Sequence, residues 1–325
     1  MDSLIFSVNA IAPIVLLMAI GYILKKTGFM SASFAKASNK LVFHVFLPIT
    51  LFLNIYNISD FEGIDFGFFA YAAISETVIF IIAIPLVMLM TKRGDRRGVL
   101  LQAAFRSNYT LIGVPLSVFL CGEAGGAVAT LLSALAVPLL NILSVISYSI
   151  YKDGGKPNVK KMLVGIIKNP LIQAIFAGLV CLGIRAELRS VGISFCISDI
   201  TPLYTVLEYL SALSTPLALL VLGAQFEFSA VPELKLEIIW GTLLRSVFVP
   251  LIGIGCAFLL FDFKGVHFAS FIALFATPFG VSSVPMAQEM GADATLAGQI
   301  VAWTAIFSIV TIFMSTFLLS LAGVF

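Results

Sequence analysis

Two apolar stretches of the chain carry residues that an ordinary buried helix does not keep. Residues 99–121 read VLLQAAFRSNYTLIGVPLSVFLC, with Arg106, Asn108, Gly113 and Pro115 inside them. Residues 268–290 read FASFIALFATPFGVSSVPMAQEM, with Pro278, Gly280, Ser282, Ser283 and Pro285 inside them. Proline removes a backbone donor and collides with the carbonyl four residues back. Backbone freed at membrane depth persists only where protein covers it or where it lines a wet cavity. The chemistry on offer is anion binding, because interrupted helices present half-helix N-termini with unpaired N–H groups and positive dipole ends. The Asn108 amide, five residues before Gly113, is placed to donate to a bound carboxylate or to satisfy backbone freed by Pro115. Ser282 and Ser283 have the same two readings, ligand contact or hydrogen bonding between helices.

Three ionisable residues lie inside other apolar runs or beside the first interruption: Glu76, Arg106 and Arg245. Charges at membrane depth are costly and mark functional sites by default. A buried pair between Glu76 and Arg245 or Arg106 is one expectation, since an unpaired buried charge is so unfavourable. The alternatives are a proton-carrying Glu76 and an arginine that attracts an anion. His44 is expected to pack among helices or to titrate near neutrality. Gln102, Asn141 and Gln288 are weaker candidates.

These residues need elements to hold them, and the composition says which. The chain has 325 residues, 60% hydrophobic and 11% charged, with a mean hydropathy of +1.09. So few charges do not cover a soluble protein of this size. An all-α integral membrane protein follows, with the lipid bilayer as its surroundings. A net charge of +2 gives no reason to expect nucleic acid as a partner. Cys121, Cys181, Cys196 and Cys256 lack ligand spacing, so no metal or other cofactor is expected. The start, Met1-Asp2-Ser3, has no basic n-region, so the first span is expected to be retained.

At about 20 apolar residues per crossing, ten spans are predicted: 4–24, 40–57, 66–90, 99–121, 126–150, 163–184, 203–225, 236–261, 268–290 and 295–321. The basic link 151–162 divides a first five-helix repeat, 1–150, from a second, 163–325. Four proline pairs fall in equivalent spans of the two halves: Pro13 with Pro170, Pro48 with Pro216, Pro85 with Pro250 and Pro115 with Pro285. Gly21 and Gly178 keep the first of those offsets. With five spans each, the halves enter the membrane from opposite sides as inverted repeats. Two interrupted spans at corresponding places in such halves point to a transporter's binding site.

At this point the residues resemble the auxin efflux carrier family, which includes bacterial carriers of malate, malonate and other organic anions. The run Asn108-Tyr-Thr-Leu-Ile-Gly113-Val-Pro115-Leu116 is similar to its Asn-x4-Gly-x-Pro-Leu signature, and Pro278-x-Gly280 to its second crossover segment. The Ser-Thr-Pro-Leu-Ala-Leu run at 214–219 resembles its seventh span. The resemblance implies a fold shared with bile-acid sodium symporters. In that fold spans one, two, six and seven form a scaffold, often dimeric, and spans three to five and eight to ten form a mobile core. Spans four and nine cross at their unwound centres, near Ser283 or Pro285 in span nine. The missing long loop of plant members suggests the bacterial branch.

The function implied is secondary active transport of small organic anions, carboxylates above all, by an elevator-type alternating access. The coupling ion, H+ or Na+, is left open. An anion channel or uniporter of the same fold, or a non-transporting receptor, is the alternative. Enzyme readings lack a motif: there is no HExxH and no Gly-x-Ser-x-Gly, and only His44 and His267 are present.

Fourteen of the nineteen lysines and arginines fall in or beside the links after spans one, three, five and seven. The positive-inside rule puts those links in the cytoplasm and both termini outside the cytoplasmic membrane. In a cysteine-free background, Gly94→Cys is therefore expected to react in intact cells with permeant thiol reagents alone. Labelling there by an impermeant reagent reverses the orientation.

Overall fold

The computed structural model describes residues 2–57, 65–151, 159–263 and 265–325, all of them helical or connecting. Most of the link 151–162, the acidic positions Asp60 and Glu62, and Lys264 lie outside the described residues.

Among the described residues, seven helical segments are long and apolar enough to cross a membrane: Ala32–Tyr56, Phe66–Met90, Tyr109–Tyr151, Pro170–Ser190, Thr201–Gln225, Phe228–Leu260 and Ala294–Leu321. The chain is a multi-pass membrane protein. The difference from ten has local causes. Helix α1 (Asp2–Lys26) is a further 25-residue apolar helix. The 43-residue segment Tyr109–Tyr151 turns at Cys121 and Gly122, where Gly122 adopts φ 61° and ψ −153°, a region open to glycine alone. Span nine is cut into two helices, each too short to cross.

Prolines explain the irregular turns. The second predicted span is α2 (Ala32–Leu41), a wide π-turn at Val42–Phe46, and α3 (Leu47–Tyr56). The eighth is α10 (Val231–Leu243), a π-turn at Leu244–Phe248, and α11 (Val249–Leu260). A third π-turn, Tyr109–Gly113, opens α6 (Val114–Tyr151). In each case a proline stands two residues beyond the turn: Pro48, Pro250 and Pro115. Its ring displaces the carbonyl four residues earlier, inside the turn, and widening the turn accommodates that clash.

The remaining helices are α4 (Phe66–Met90), α5 (Gly94–Phe105), α7 (Val159–Ile167), α8 (Pro170–Ser190), α9 (Thr201–Gln225), α12 (Gly265–Phe275), α13 (Ser283–Met290) and α14 (Ala294–Leu321). They pack as two groups. In the first, α1 lies along α9 and α3 along α8. A Cβ on Gly21 would stand 2.0 Å from the Leu220 carbonyl oxygen, and one on Gly223 1.9 Å from that of Met18, so these backbones touch. At the second crossing, a Cβ on Gly178 would meet the Ile55 Cβ at 3.0 Å.

The second group joins α4 to α6 with α10 to α14. Arg96, itself buried, ties three of its helices together at one end. It bonds Glu233 at 2.5 Å, Glu237 at 3.0 Å and Asp293 at 3.2 Å. Asp293 also caps α14, accepting from the Leu296 N–H at 2.9 Å. Beside it, hydrogen bonding to Arg93 holds the Asp95 carboxyl below the ordinary aspartate value. Outward apolar side chains such as Leu16, Ile74, Leu89 and Phe176 face away from both groups, as a lipid surface requires.

Candidate functional site

The chain unwinds at 106–108, between α5 and the π-turn, and at 276–282, between α12 and α13. The two unwound stretches meet as a single antiparallel β-bridge, Ser107 against Phe279. The Asn108 N–H donates to the Pro278 carbonyl at 2.9 Å, and the Gly280 N–H to the Arg106 carbonyl at 3.3 Å. Each stretch thus supplies the partners that unwinding takes from the other, which meets the demand that no backbone group go unpaired at membrane depth. The crossing lies at Phe279, ahead of both Ser283 and Pro285.

Breaking two helices exposes two C-terminal ends with orphan carbonyls. Arg245, fully buried, donates to the Leu274 carbonyl at 2.6 Å, to Thr277 at 2.8 Å and to Phe105 at 3.1 Å. One guanidinium therefore caps the ends of both α5 and α12, the negative ends of their dipoles. The expected ion pair is absent among the described residues: no hydrogen bond or salt bridge joins Glu76 to Arg245 or Arg106. Glu76 is buried in α4 with neither carboxylate oxygen hydrogen-bonded, although Arg245 is near enough to attract it. The reason is competition, since three backbone carbonyls occupy the guanidinium that was expected to hold the carboxylate.

Arg106 faces the other side of the crossing. Its guanidinium donates to Ser144 Oγ, to Asn141 Oδ1 at 2.9 Å and to Ser282 Oγ at 2.7 Å. Asn141 is oriented by its own bond to the Val137 carbonyl at 2.8 Å, and Ser144 by one to Leu140 at 2.6 Å. These partners are neutral, so the charge stays uncompensated. Arg106, Ser107, Asn108, Gly280 and Ser282 line a cavity of about 240 Å³. Its opposite wall comes from the first helical group: Thr50 and Asn54 on α3, and Ser214 and Thr215 on α9. Among the described residues, no aspartate or glutamate lines it. Asn108 Nδ2 is buried there without a partner, as is Ser107 Oγ.

The predicted residues thus divide. Arg106, Asn108, Gly280 and Ser282 reach the cavity, and Pro278 supplies a carbonyl to the crossing behind it. Gly113, Pro115, Ser283 and Pro285 do not line it. Gly113 serves close packing, since a Cβ there would come within 2.9 Å of the Ala273 Cβ. Pro115 is exposed and shapes the π-turn, while Pro285 is buried in the first turn of α13. Ser283 is buried, and its carbonyl accepts from the Tyr148 hydroxyl at 3.1 Å. His44 is exposed rather than packed, bonded to the Lys40 carbonyl at 3.1 Å. Asn54, Thr50 and Thr110 also line the cavity and Ser144 holds Arg106, beyond the residues that the sequence predicts. The one sequence signal for Ser144 is Asn141-x-x-Ser144, two polar residues on one helical face within an apolar run.

The sequence model of a family described as membrane transport protein matches residues 6–158 and 156–316, nearly the whole chain. The chain belongs to this family. Two curated relatives run along its length. An uncharacterized transporter of Methanothermobacter thermautotrophicus is 22% identical over 322 residues, covering 94% of this chain and 96% of the relative. An uncharacterized transporter of Methanocaldococcus jannaschii is 24% identical over 314 residues, covering 92% and 94%. The protein is a membrane transporter.

The transporter's crossing depends on Arg245. Arg245→Met leaves three buried carbonyls without a donor, and each such loss costs about 1–3 kcal/mol. A large fall in the melting temperature of the purified protein is expected, with Arg245→Lys intermediate. Wild-type melting of Arg245→Met would remove the capping role.

Proposed function

We propose that this transporter is a secondary carrier of small organic anions, carboxylates above all, that works by alternating access. The observation that carries the reading is Arg106: a buried cation whose partners among the described residues are neutral, lining a cavity that no described acid lines. Around it the geometry adds positive potential, because α13 and the π-turn leading into α6 both begin at the crossing. Asn108 Nδ2 supplies an unpaired donor.

Ten crossings in two inverted repeats remain our reading of the topology. The equivalent breaks after Phe105 and Phe275 support it, as do the crossings of Gly21 on α9 and Gly178 on α3. The first helical group then acts as scaffold and the second as an elevator-type core. That assignment is supported by the cavity, whose walls come one from each group. Sliding one past the other exposes the anion to one side and then the other.

A thermal-shift screen of the purified protein against carboxylates tests the reading, since a ligand of the native state raises apparent stability by mass action. With a hit in hand, Asn108→Ala is expected to weaken binding by about 1–3 kcal/mol, and Arg106→Gln by at least as much. Unchanged affinity in both variants sinks the proposed site.

Glu76 is the proposed carrier of a coupling proton, supported by a buried carboxylate that no hydrogen bond holds. Glu76→Gln imitates the protonated acid, so it is expected to melt like wild type and still exchange substrate for substrate. Acceleration by a pH gradient should disappear. A full response to the gradient would exclude Glu76 from coupling, and sodium becomes the ion to test.

A further inference from the structure

Few side-chain hydrogen bonds bridge the two helical groups, and those of the described residues converge on one short element. Asn39 of α2 donates both Nδ2 hydrogens, one to Gln225 Oε1 of α9 at 3.1 Å and one to Gln288 Oε1 of α13. Gln225 Nε2 also points to Gln288 Oε1, at 3.5 Å. Two residues further along, Met290 Sδ accepts from Asn169 Nδ2 at the start of α8, at 3.8 Å. The last turn of α13 is thereby held by three elements of the first group. Elsewhere the contact between groups, chiefly α1 against α14, is apolar.

A second cavity, of about 560 Å³, opens at this point, lined by Lys25, Lys36, Gln225, Glu227, Gln288 and Gln299 among others. It lies on the far side of the crossing from the anion cavity. Thr215 and Ala224, one lining each cavity, are roughly two and a half helical turns apart along α9. Lys25 and Lys36 are exposed at its mouth, while buried Gln299 leaves its Oε1 unpaired inside. The first cavity, by contrast, reaches the exposed Thr110 in this structure.

We propose that Asn39, Gln225 and Gln288 form the latch between scaffold and core, and that its release opens the second cavity as the anion's other route. The proposal rests on the alternating-access reading above. The chemistry of the cluster suits the task. Neutral amides exchange partners with one another, with water and with a passing carboxylate at modest net cost. An ion pair buried at the same place would hold too firmly to open in every cycle. The exposed lysines, Lys25 and Lys36, outweigh the exposed Glu227 there, so the net charge favours an anion that arrives from, or leaves toward, that side.

The test uses the full chain in lipid nanodiscs, with Cys121, Cys181, Cys196 and Cys256 replaced and one reporter thiol added. Ala35→Cys reports the second cavity, where Ala35 is now fully buried, and Thr215→Cys the first. N-ethylmaleimide is the probe. In Gln288→Leu, labelling at position 35 is expected to accelerate by about fivefold or more, and labelling at position 215 to slow. Asn39→Ala, which removes the opposite partner, should give the same change, and serves as well if Gln288→Leu does not fold. The double variant should go no further than either single one, as expected of residues that act as a unit. Unchanged rates in variants that melt like wild type, or rates that multiply in the double variant, overturn the latch. A carboxylate screen without a hit would remove the anion reading instead, and the labelling rates would still support or sink the latch.

Discussion

Two hydrogen bonds between unwound backbones, Asn108 to Pro278 and Gly280 to Arg106, make the rest of the arrangement possible. Backbone opened at membrane depth has no water to turn to, so each interruption survives only because the other completes it. That reciprocity fixes where two helices can break: at matching depths, facing each other, with extended chain between. It also creates four half-helix ends at one place. Arg245 and Arg106, the two buried arginines beside the crossing, each answer to a different set of those ends.

The ends are sorted by sign. Arg245 gathers the carbonyls of Phe105, Leu274 and Thr277, neutralising the negative ends of α5 and α12 on one side of the crossing. On the other side the positive ends face the cavity, and Arg106 adds its charge to them. The two buried arginines therefore have opposite tasks. One is consumed by the fold, its hydrogen bonds spent on backbone. The other is held by Ser144, Asn141 and Ser282, which fix its direction without cancelling its charge.

This division was only partly legible in the sequence. The interruptions could be seen because proline, glycine and arginine are foreign to a lipid-facing helix, and Arg106, Asn108, Gly280 and Ser282 followed from them. Pro115 and Gly113 misled by one helical turn, since a proline's effect falls on the turn before it; the π-turn at Tyr109–Gly113 absorbs that effect. The pairing of Glu76 with an arginine failed for a different reason. Sequence shows charges but not carbonyls, and the strongest competitors for Arg245 were backbone atoms that any residue carries. The part of the far wall that Asn54 supplies was hidden because a single polar residue in a span signals nothing until a partner faces it.

Strength of interaction is distributed in a way that suits motion. Within the second helical group, Arg96 binds Glu233, Glu237 and Asp293, and so fastens α5, α10 and α14 with charge. Within the first group, the backbones touch at Gly21 and Gly223, leaving no slack for sliding. Between the groups there are apolar faces and a cluster of amides. Apolar contact in a bilayer has little of the hydrophobic driving force it has in water, because the lipid tails are as apolar as the helices. Each body is therefore joined more firmly inside than the two are joined to each other. The crossing lies whole inside one of them, so its geometry does not depend on the contacts between the two.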